Sequence, residues 1–350
     1  MSIGREPSSL FSLNGGRRHA GEHRFRMAWA PSPSLRAAAR HAAYQPMVNG
    51  VARRMLVLLK AAAPRLAHWF DLHLPLVGLQ TVTLPGGSTF RVTVNETSHS
   101  STAALCRRGF GAVEPDVAPV FAKLAAESSV VLDVGANIGI YAMAAAVLNP
   151  RAEVVAFEPL PNVYERLLAN AVLNGLENVI CVNAAVSNGA GAATLFAPAG
   201  RVPTTASQEV AHRLRHPNER ANEPGPYTCH IVPTVDLDDF VELAQLSSVD
   251  LVKIDVEQAE FTVLQGMSRI VATYRPHIIC ELFPESWIHR DVGAEIEVLL
   301  APHEYFFYLL TDDGLHHHPH ISGHPDHANH LFTPLGPDDL AVVIDRPIEV

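Results

Sequence analysis

Residues 131–141 read VLDVGANIGIY, an apolar run that stops at Asp133 and then turns through Gly135, Asn137 and Gly139. Nineteen residues after Gly139, a second apolar run closes in AFEP, with Glu158 as its acid. Further along, VDLVKIDVEQAE carries Lys253, Asp255 and Glu257 at alternate positions, and IICELFPE carries Glu281 followed by Glu285. Glycine permits positive φ and close backbone approach, and Asn tolerates the same unusual angles. A Walker phosphate loop is excluded, because Gly139 is followed by Ile140 and Tyr141 where Lys and Ser or Thr are needed. The dinucleotide fingerprint fails too, since counting from Gly135 puts Asn137 third and Ile140 sixth.

What remains is a turn whose carboxylate, Asp133, suits an ammonium or sulfonium group. Glu158 stands where an acid accepts hydrogen bonds from both hydroxyls of a ribose, each worth about 1.5–3 kcal/mol when charge-assisted. An amine-bearing adenosine with free ribose hydroxyls and no phosphate describes S-adenosyl-L-methionine. Taken singly, Asp133 reads as a helix cap and Glu158 as a solvated strand end; strand, turn, helix, strand and acid in this order favour the donor site.

These residues need a scaffold that brings strand ends together. Short apolar strands at 130–134, 154–157 and 179–182 alternate with helices at 138–148 and 163–174. The alternation resumes with strands at 249–254 and 277–282 around a helix at 259–266, and further helix and strand candidates lie at 292–301, 304–311 and 340–345. Such βαβ alternation implies parallel strands with right-handed crossovers and helices on both faces. TVTLPGGSTFRVTV at 81–94 reads as a hairpin about Pro-Gly-Gly. Residues 197–230, rich in Pro, Asn, Glu and Arg, form an insertion longer than ordinary loops. The expected organisation is a basic extension over 1–70, with 1–45 poorly ordered, followed by a catalytic domain over 71–350 with its core at 115–345.

VVLDVGANIGIYA, VVAFEPLPNVYERLLAN, VNAAVSN, VDLVKIDVEQAEFTVLQG and IICELFPE, in that order, resemble the FkbM family of class I methyltransferases dependent on S-adenosyl-L-methionine. The resemblance extends over about 81–334, including the hairpin, Glu114-Pro115 and a closing NHLFTP at 329–334 that is similar to the family's last strand. It implies an α/β, Rossmann-like fold with a mostly parallel seven-stranded sheet, preceded by the helical and hairpin extension. It also implies O-methylation of a small molecule, natural product or saccharide. By the resemblance the donor site comprises Asp133, Gly135, Ala136, Asn137 and Gly139 from the turn, Glu158 and Pro159 from the second strand end, and Asn183, Ala184 and Asp255. Glu114, His230 and Gln258 are the acceptor-side candidates. In place of the family's Asp-Val-Glu-Gly-x-Glu the chain has Gln258 where the glycine stands, a change that adds a side chain beside the acceptor pocket.

A hydroxyl is a weak nucleophile until its proton is handled, so the acids at the fourth and fifth strand ends matter. Asp255 is the preferred base, Glu281 and Glu257 compete for the role, and Lys253 is the accompanying cation. Asp255 and Glu281 also sit where catechol-type O-methyltransferases of the same fold hold magnesium, which makes a divalent metal the less favoured alternative. Two other functions stay open: an inactive S-adenosyl-L-methionine-binding paralogue, hinted at by Gln258, and an N-methyltransferase acting on a macromolecule. The second lacks the Asn-Pro-Pro-Tyr type of motif after the fourth strand.

Charge narrows the partners. The net charge of −10 divides into +9 over residues 1–70, eleven Lys or Arg against Glu6 and Glu22, and −19 over the remainder. An acidic body argues against nucleic acid as partner. VARRMLVLLKAAA at 51–63 reads either as an accessory helix packed on the domain, the preferred reading, or as a basic amphipathic helix in peripheral contact with a membrane. The Arg-rich start also fits a transit peptide or a true initiation at Met27. No apolar run approaches the roughly 20 residues of a membrane span. Scattered Cys106, Cys181, Cys229 and Cys280 point to a reducing cytoplasm. His316, His317, His318, His320, His324, His327 and His330 tempt a zinc reading, but Pro319, Gly323 and Pro325 among them favour a solvated loop. Oligomeric state is not legible.

Overall fold

The computed structural model describes residues 77–94, 100–112, 114–198, 227–256, 258–282, 291–321, 328–345 and 348–349, with parts of 51–66. All of these belong to one compact unit, Ala43–Val350. The expectations for residues 1–45, and for most of the 197–230 insertion, lie outside the described residues.

Apolar β-branched runs form the strands. The first two, β1 (Gly78–Thr83) and β2 (Thr89–Val94), pair antiparallel as the hairpin. Then come β3 (Val130–Val134), β4 (Glu153–Phe157), β5 (Val179–Val182), β6 (Ala185–Ser187), β7 (Gly191–Pro198) and β8 (Tyr227–Asp236). Strands β9 (Leu251–Ile254), β10 (His277–Glu281), β11 (Phe306–Leu310), β12 (Leu315–His318), β13 (Asn329–Thr333) and β14 (Ile348–Glu349) complete the set. The central sheet runs β14-β12-β11-β13-β10-β9-β3-β4-β5. Within it, β5-β4-β3-β9-β10-β13-β11 is the expected seven-stranded core, parallel except for β13, which is antiparallel to both its neighbours. Two further strands, β12 and β14, extend it to nine.

Every residue of β3 and β9 is buried, as expected where both faces of a parallel sheet are covered. One face packs on the helices Val117–Glu127, Ile140–Leu148 and Pro337–Ile344; the other packs on Leu237–Ala244, Glu260–Gln265, Ser268–Tyr274 and Val292–Leu300. Full burial of a side chain such as Leu167, Phe121 or Phe332 contributes about 1.5–3 kcal/mol. Alanines 142, 144, 145 and 146, all buried, bring the helix Ile140–Leu148 close to the sheet. That helix begins two residues later than expected, because Gly139 at φ 88° interrupts right-handed winding. The helix Pro161–Asn174 starts on a proline, whose missing N–H costs nothing there, and ends on Gly175 at φ 63°, whose N–H closes on the Ala171 and Val172 carbonyls.

Two further features depart from expectation. The residues flanking the insertion are strands, β7 pairing antiparallel with β8, and with β6 they make a separate three-stranded sheet. Each flank alone lacks strict alternation, so only their pairing, across the insertion, defines them. Likewise His316, His317 and His318 do not lie in a solvated loop: they form β12 against β11, where each is partly buried. Pairing with Phe307, Tyr308 and Leu309 supplies the apolar contacts that the local histidine-rich sequence hides. His324 and His327 lie outside the described residues. In the described part of 51–59, which is helical, Leu56 is buried while Val51, Met55 and Leu58 are exposed. Among the described residues no helix is long and apolar enough to cross a membrane.

Candidate active site

The site lies at the carboxyl ends of β3, β4, β9 and β10, beside the point where the chain leaves β3 for β4 on one side and β9 on the other. Gly135 adopts φ 83°, and a Cβ there would sit 1.9 Å from the Asp255 carbonyl oxygen. Its requirement for glycine comes from the neighbouring strand. Gly139 is confined similarly, its absent Cβ falling 2.5 Å from Leu167 Cδ1. Asn137, at φ 53°, takes the left-handed conformation expected of it. The turn is fastened to β4 by the N–H groups of Gly135 and Ala136, which both donate to the Phe157 carbonyl, at 3.1 and 2.9 Å.

Glu158 fastens it again. The side chain is 6% exposed; Oε2 accepts from Asn137 N–H at 3.0 Å and Oε1 from Leu160 N–H at 2.9 Å. Burial pushes its carboxyl up to about 7 against the pull of those two donors. A carboxylate offers about four lone-pair sites, so both oxygens retain capacity for ribose hydroxyls. Asn183 holds the following residues in place, its Nδ2 donating to the Glu158 and Pro159 carbonyls at 2.8 and 3.1 Å, and Ala184 is buried behind it. Asp133, 1% exposed, accepts the Ala142 N–H at 2.9 Å and so caps the helix from the strand below. Burial raises its carboxyl to about 6, with Lys253 opposing.

On the β9 and β10 side the acids gather around one ammonium. Lys253 Nζ lies 3.0 Å from Asp255 Oδ2 and 4.5 Å from the centre of the Tyr141 ring. Burial works against the lysine's charge, but Asp255, Glu114 and Asp133 more than compensate and hold it well above the usual range. Asp255, whose side chain is 30% exposed, would be raised by burial; Lys253, and hydrogen bonds from Glu281 and from Lys253, instead keep it below the ordinary carboxylate range. Glu281 is driven the opposite way, first by burial and then by the Asp255 charge, so it holds its proton and shares it with Asp255. Tyr141 donates its hydroxyl to Glu114, and its ring packs edge-on against Phe110 and Phe121. Asn329, paired with Glu281 across β13 and β10, donates to Asp116 at 2.9 Å.

Lys253, Asp255, Glu281, Glu114 and Asp133 are therefore brought together, and Gln258 follows within three residues of Asp255. His230 is not part of this group: it sits on β8 opposite Leu195, in the separate sheet. Glu257 and Glu285 lie outside the described residues. Gln258 takes φ 80°, the conformation for which the family's glycine is suited, and its N–H is held by Glu260 Oε1 at 2.8 Å. Reading the sequence missed Tyr141, Asp116 and Asn329. An aromatic in the first turn of a buried helix reads as core, and the other two meet only across 213 residues.

With Glu281 holding its proton, Asp255 and Asp133 still face a single lysine and leave the cluster short of positive charge. A ligand bearing ammonium and sulfonium groups fits that deficit. Among the described residues no group of three or more His, Cys, Asp or Glu side chains is arranged to hold a metal ion.

The sequence matches the Methyltransferase FkbM domain over residues 133–310, just over half the chain. It is 32% identical over 200 residues to 31-O-demethyl-FK506 methyltransferase FkbM of Streptomyces tacrolimicus, covering 50% of this chain and 72% of that protein. Methyltransferase sdnD of Sordaria araneosa is 29% identical over 191 residues, covering 49% of this chain and 71% of its own. Hexuronic acid methyltransferase AglP of Haloferax volcanii is 29% identical over 155 residues, 44% of this chain and 56% of that protein. Among solved structures, methyltransferase FkbM from Methylobacillus flagellatus is similar at 14% identity and a TM-score of 0.37, over 59% of this chain and 43% of that one. The family match and the fold together define a class I methyltransferase dependent on S-adenosyl-L-methionine. The chain belongs to the FkbM methyltransferase family.

Proposed function

We propose that the protein methylates a hydroxyl oxygen of a small molecule or saccharide, with Asp255 handling the proton. The observation that carries this reading is the Lys253–Asp255–Glu281 arrangement at the strand ends beside the donor turn. Bound S-adenosyl-L-methionine supplies an activated methyl group on a positively charged sulfur. The chain's own task is then orientation, which can remove around 7–11 kcal/mol of barrier, together with removal of one proton. Lys253 keeps Asp255 ionised, so Asp255 accepts the hydroxyl's hydrogen bond and directs the oxygen. It takes the proton as that oxygen gains positive charge, when a weak base suffices. Glu281 enters with its proton already in place and serves as a donor to Asp255. That protonation favours Asp255 over Glu281 as the base.

On the donor side, Glu158 would take the ribose hydroxyls, with Asp133, Gly135, Ala136, Asn137, Gly139, Pro159, Asn183 and Ala184 shaping the surrounding wall. Glu114 and Gln258 would border the acceptor; His230 would reach it only through the three-stranded sheet. An oxygen acceptor is supported by the relative named 31-O-demethyl-FK506 methyltransferase FkbM, and a saccharide acceptor by the one named hexuronic acid methyltransferase AglP. The acidic body over 71–350 disfavours nucleic acid, and a cytoplasmic setting accords with the free cysteines.

Calorimetric titration with S-adenosyl-L-methionine and its demethylated product tests the donor assignment, with Glu158→Ala expected to weaken both. Undiminished binding by that variant would remove the ribose role. A metabolite panel scored for a gain of one methyl group tests the acceptor, and there Asp255→Asn should lose turnover while retaining donor binding. Full activity after chelator treatment is expected; its loss, with recovery on adding magnesium, would replace the base with a metal.

A further inference from the structure

Asn170 is a buried amide in the middle of an otherwise apolar helix face. It lies on Pro161–Asn174, is 2% exposed, and shares its side of the helix with Val163, Leu167 and Ala171. Asn is a weaker helix former than Ala or Leu, and burying its amide costs further free energy unless partners are supplied. Both ends of the amide are used. Nδ2 donates to the Ile138 carbonyl at 2.9 Å, inside the donor turn, and Oδ1 accepts from Thr93 N–H at 3.2 Å, on the outer edge of the hairpin strand β2.

The bond to Ile138 has a specific effect on the turn. In a helix extended by one turn, Ala142 N–H would donate to Ile138 C=O. Here Asp133 takes the Ala142 N–H and Asn170 takes the Ile138 carbonyl. The two side chains thus stand in for each other's missing partner and keep residues 135–139 out of the helix. Immediately before Ile138, Asn137 N–H is fixed by Glu158. One turn along the same helix, Asn174 clasps β2 without touching the turn, accepting from Arg91 N–H and donating to the Arg91 carbonyl, both at 2.7 Å.

We infer that Asn170 is a positioning residue for the methyl donor, a latch that holds the Asn137–Ile138 segment open against the helix and ties it to the β1–β2 hairpin. The inference rests on the donor reading proposed above. Asn174 provides the internal control, because it grips the same hairpin but makes no bond to the turn.

The test compares Asn170→Ala and Asn174→Ala by calorimetry with S-adenosyl-L-methionine and S-adenosylhomocysteine, and by hydrogen exchange of the amides of 135–140 in ligand-free protein. Asn170→Ala should weaken both ligands alike by about tenfold and accelerate exchange in the turn. Asn174→Ala should lower thermal stability yet leave both affinities within about twofold and the turn's exchange unchanged. If Asn170→Ala does not fold, Asn170→Leu, which removes the amide without leaving a cavity, carries the same comparison. Unchanged exchange in the turn, or equal loss of affinity in the Asn170 and Asn174 variants, overturns the latch. A wild-type protein that binds neither ligand overturns the donor reading instead, and the exchange measurement still decides the latch.

Discussion

The two halves of the site are built on different principles. Around the turn after β3, side chains hold backbone: Asp133 takes Ala142 N–H, Glu158 takes two N–H groups, and Asn183 takes two carbonyls. Around the ends of β9 and β10, side chains hold one another: Lys253 with Asp255, Asp255 with Glu281, Tyr141 with Glu114, Asn329 with Asp116. The first arrangement fixes a shape, whereas the second fixes a distribution of protons and charge. Moving a proton requires the second kind, since backbone amides do not titrate in the working range.

Substitutions can break this contrast. Gly135→Ala should have the largest effect, because its Cβ would collide with the Asp255 carbonyl and φ 83° would be strained besides. A loss of about 4 kcal/mol or more, or no folded protein, is expected in denaturant unfolding. Lys253→Met should cost about 3–5 kcal/mol by leaving buried acids without their cation. It should also raise the proton affinity of Asp255, which carbon-detected NMR titration of the carboxyl can follow. A loss as large in the Asn183→Ala variant would erase the distinction between the halves.

Glu158→Gln probes the shape-holding half through pH. The folded protein holds the Glu158 proton up to about pH 7, against an ordinary value of 4.5. Its contribution to stability is therefore full below about 4.5 and is lost as pH rises to about 7, at roughly 1.4 kcal/mol for each pH step of one between those values. Asp133, raised to about 6 from 3.8, acts in the same direction. Ligand-free wild-type protein should thus lose more thermal stability between pH 5 and pH 8 than Glu158→Gln does. Equal slopes would mean that burial does not govern this carboxyl. The smallest effect is expected from Gln258→Gly, which relieves φ 80° and should stabilise the protein by about 1 kcal/mol or less, read as a modest rise in melting temperature.

The contrast also explains what could be read from sequence. Shape-holding turns need particular residue types at fixed spacing, so Gly135, Asn137, Gly139 and Glu158 were legible, as were the strands that carry them. The roles of the turn residues were less so: Gly135 and Gly139 answer to Asp255 and Leu167, contacts that no spacing rule contains. Charge networks join residues far apart in the chain. Lys253 and Asp255 were legible as a local pair, but Tyr141 beneath the lysine and Asn329 beside Asp116 depend on helix and sheet packing. The three-stranded sheet and β12 escaped for the same reason, since their strands are defined by partners and not by their own pattern.

The missing Cβ of Gly135 ties the two halves to each other. Because the turn rides directly on the Asp255 carbonyl, the segment after β9 cannot be exchanged as an independent cassette. Grafting residues 255–260 from a relative with a different acceptor should succeed only when the incoming peptide presents its first carbonyl in the same orientation.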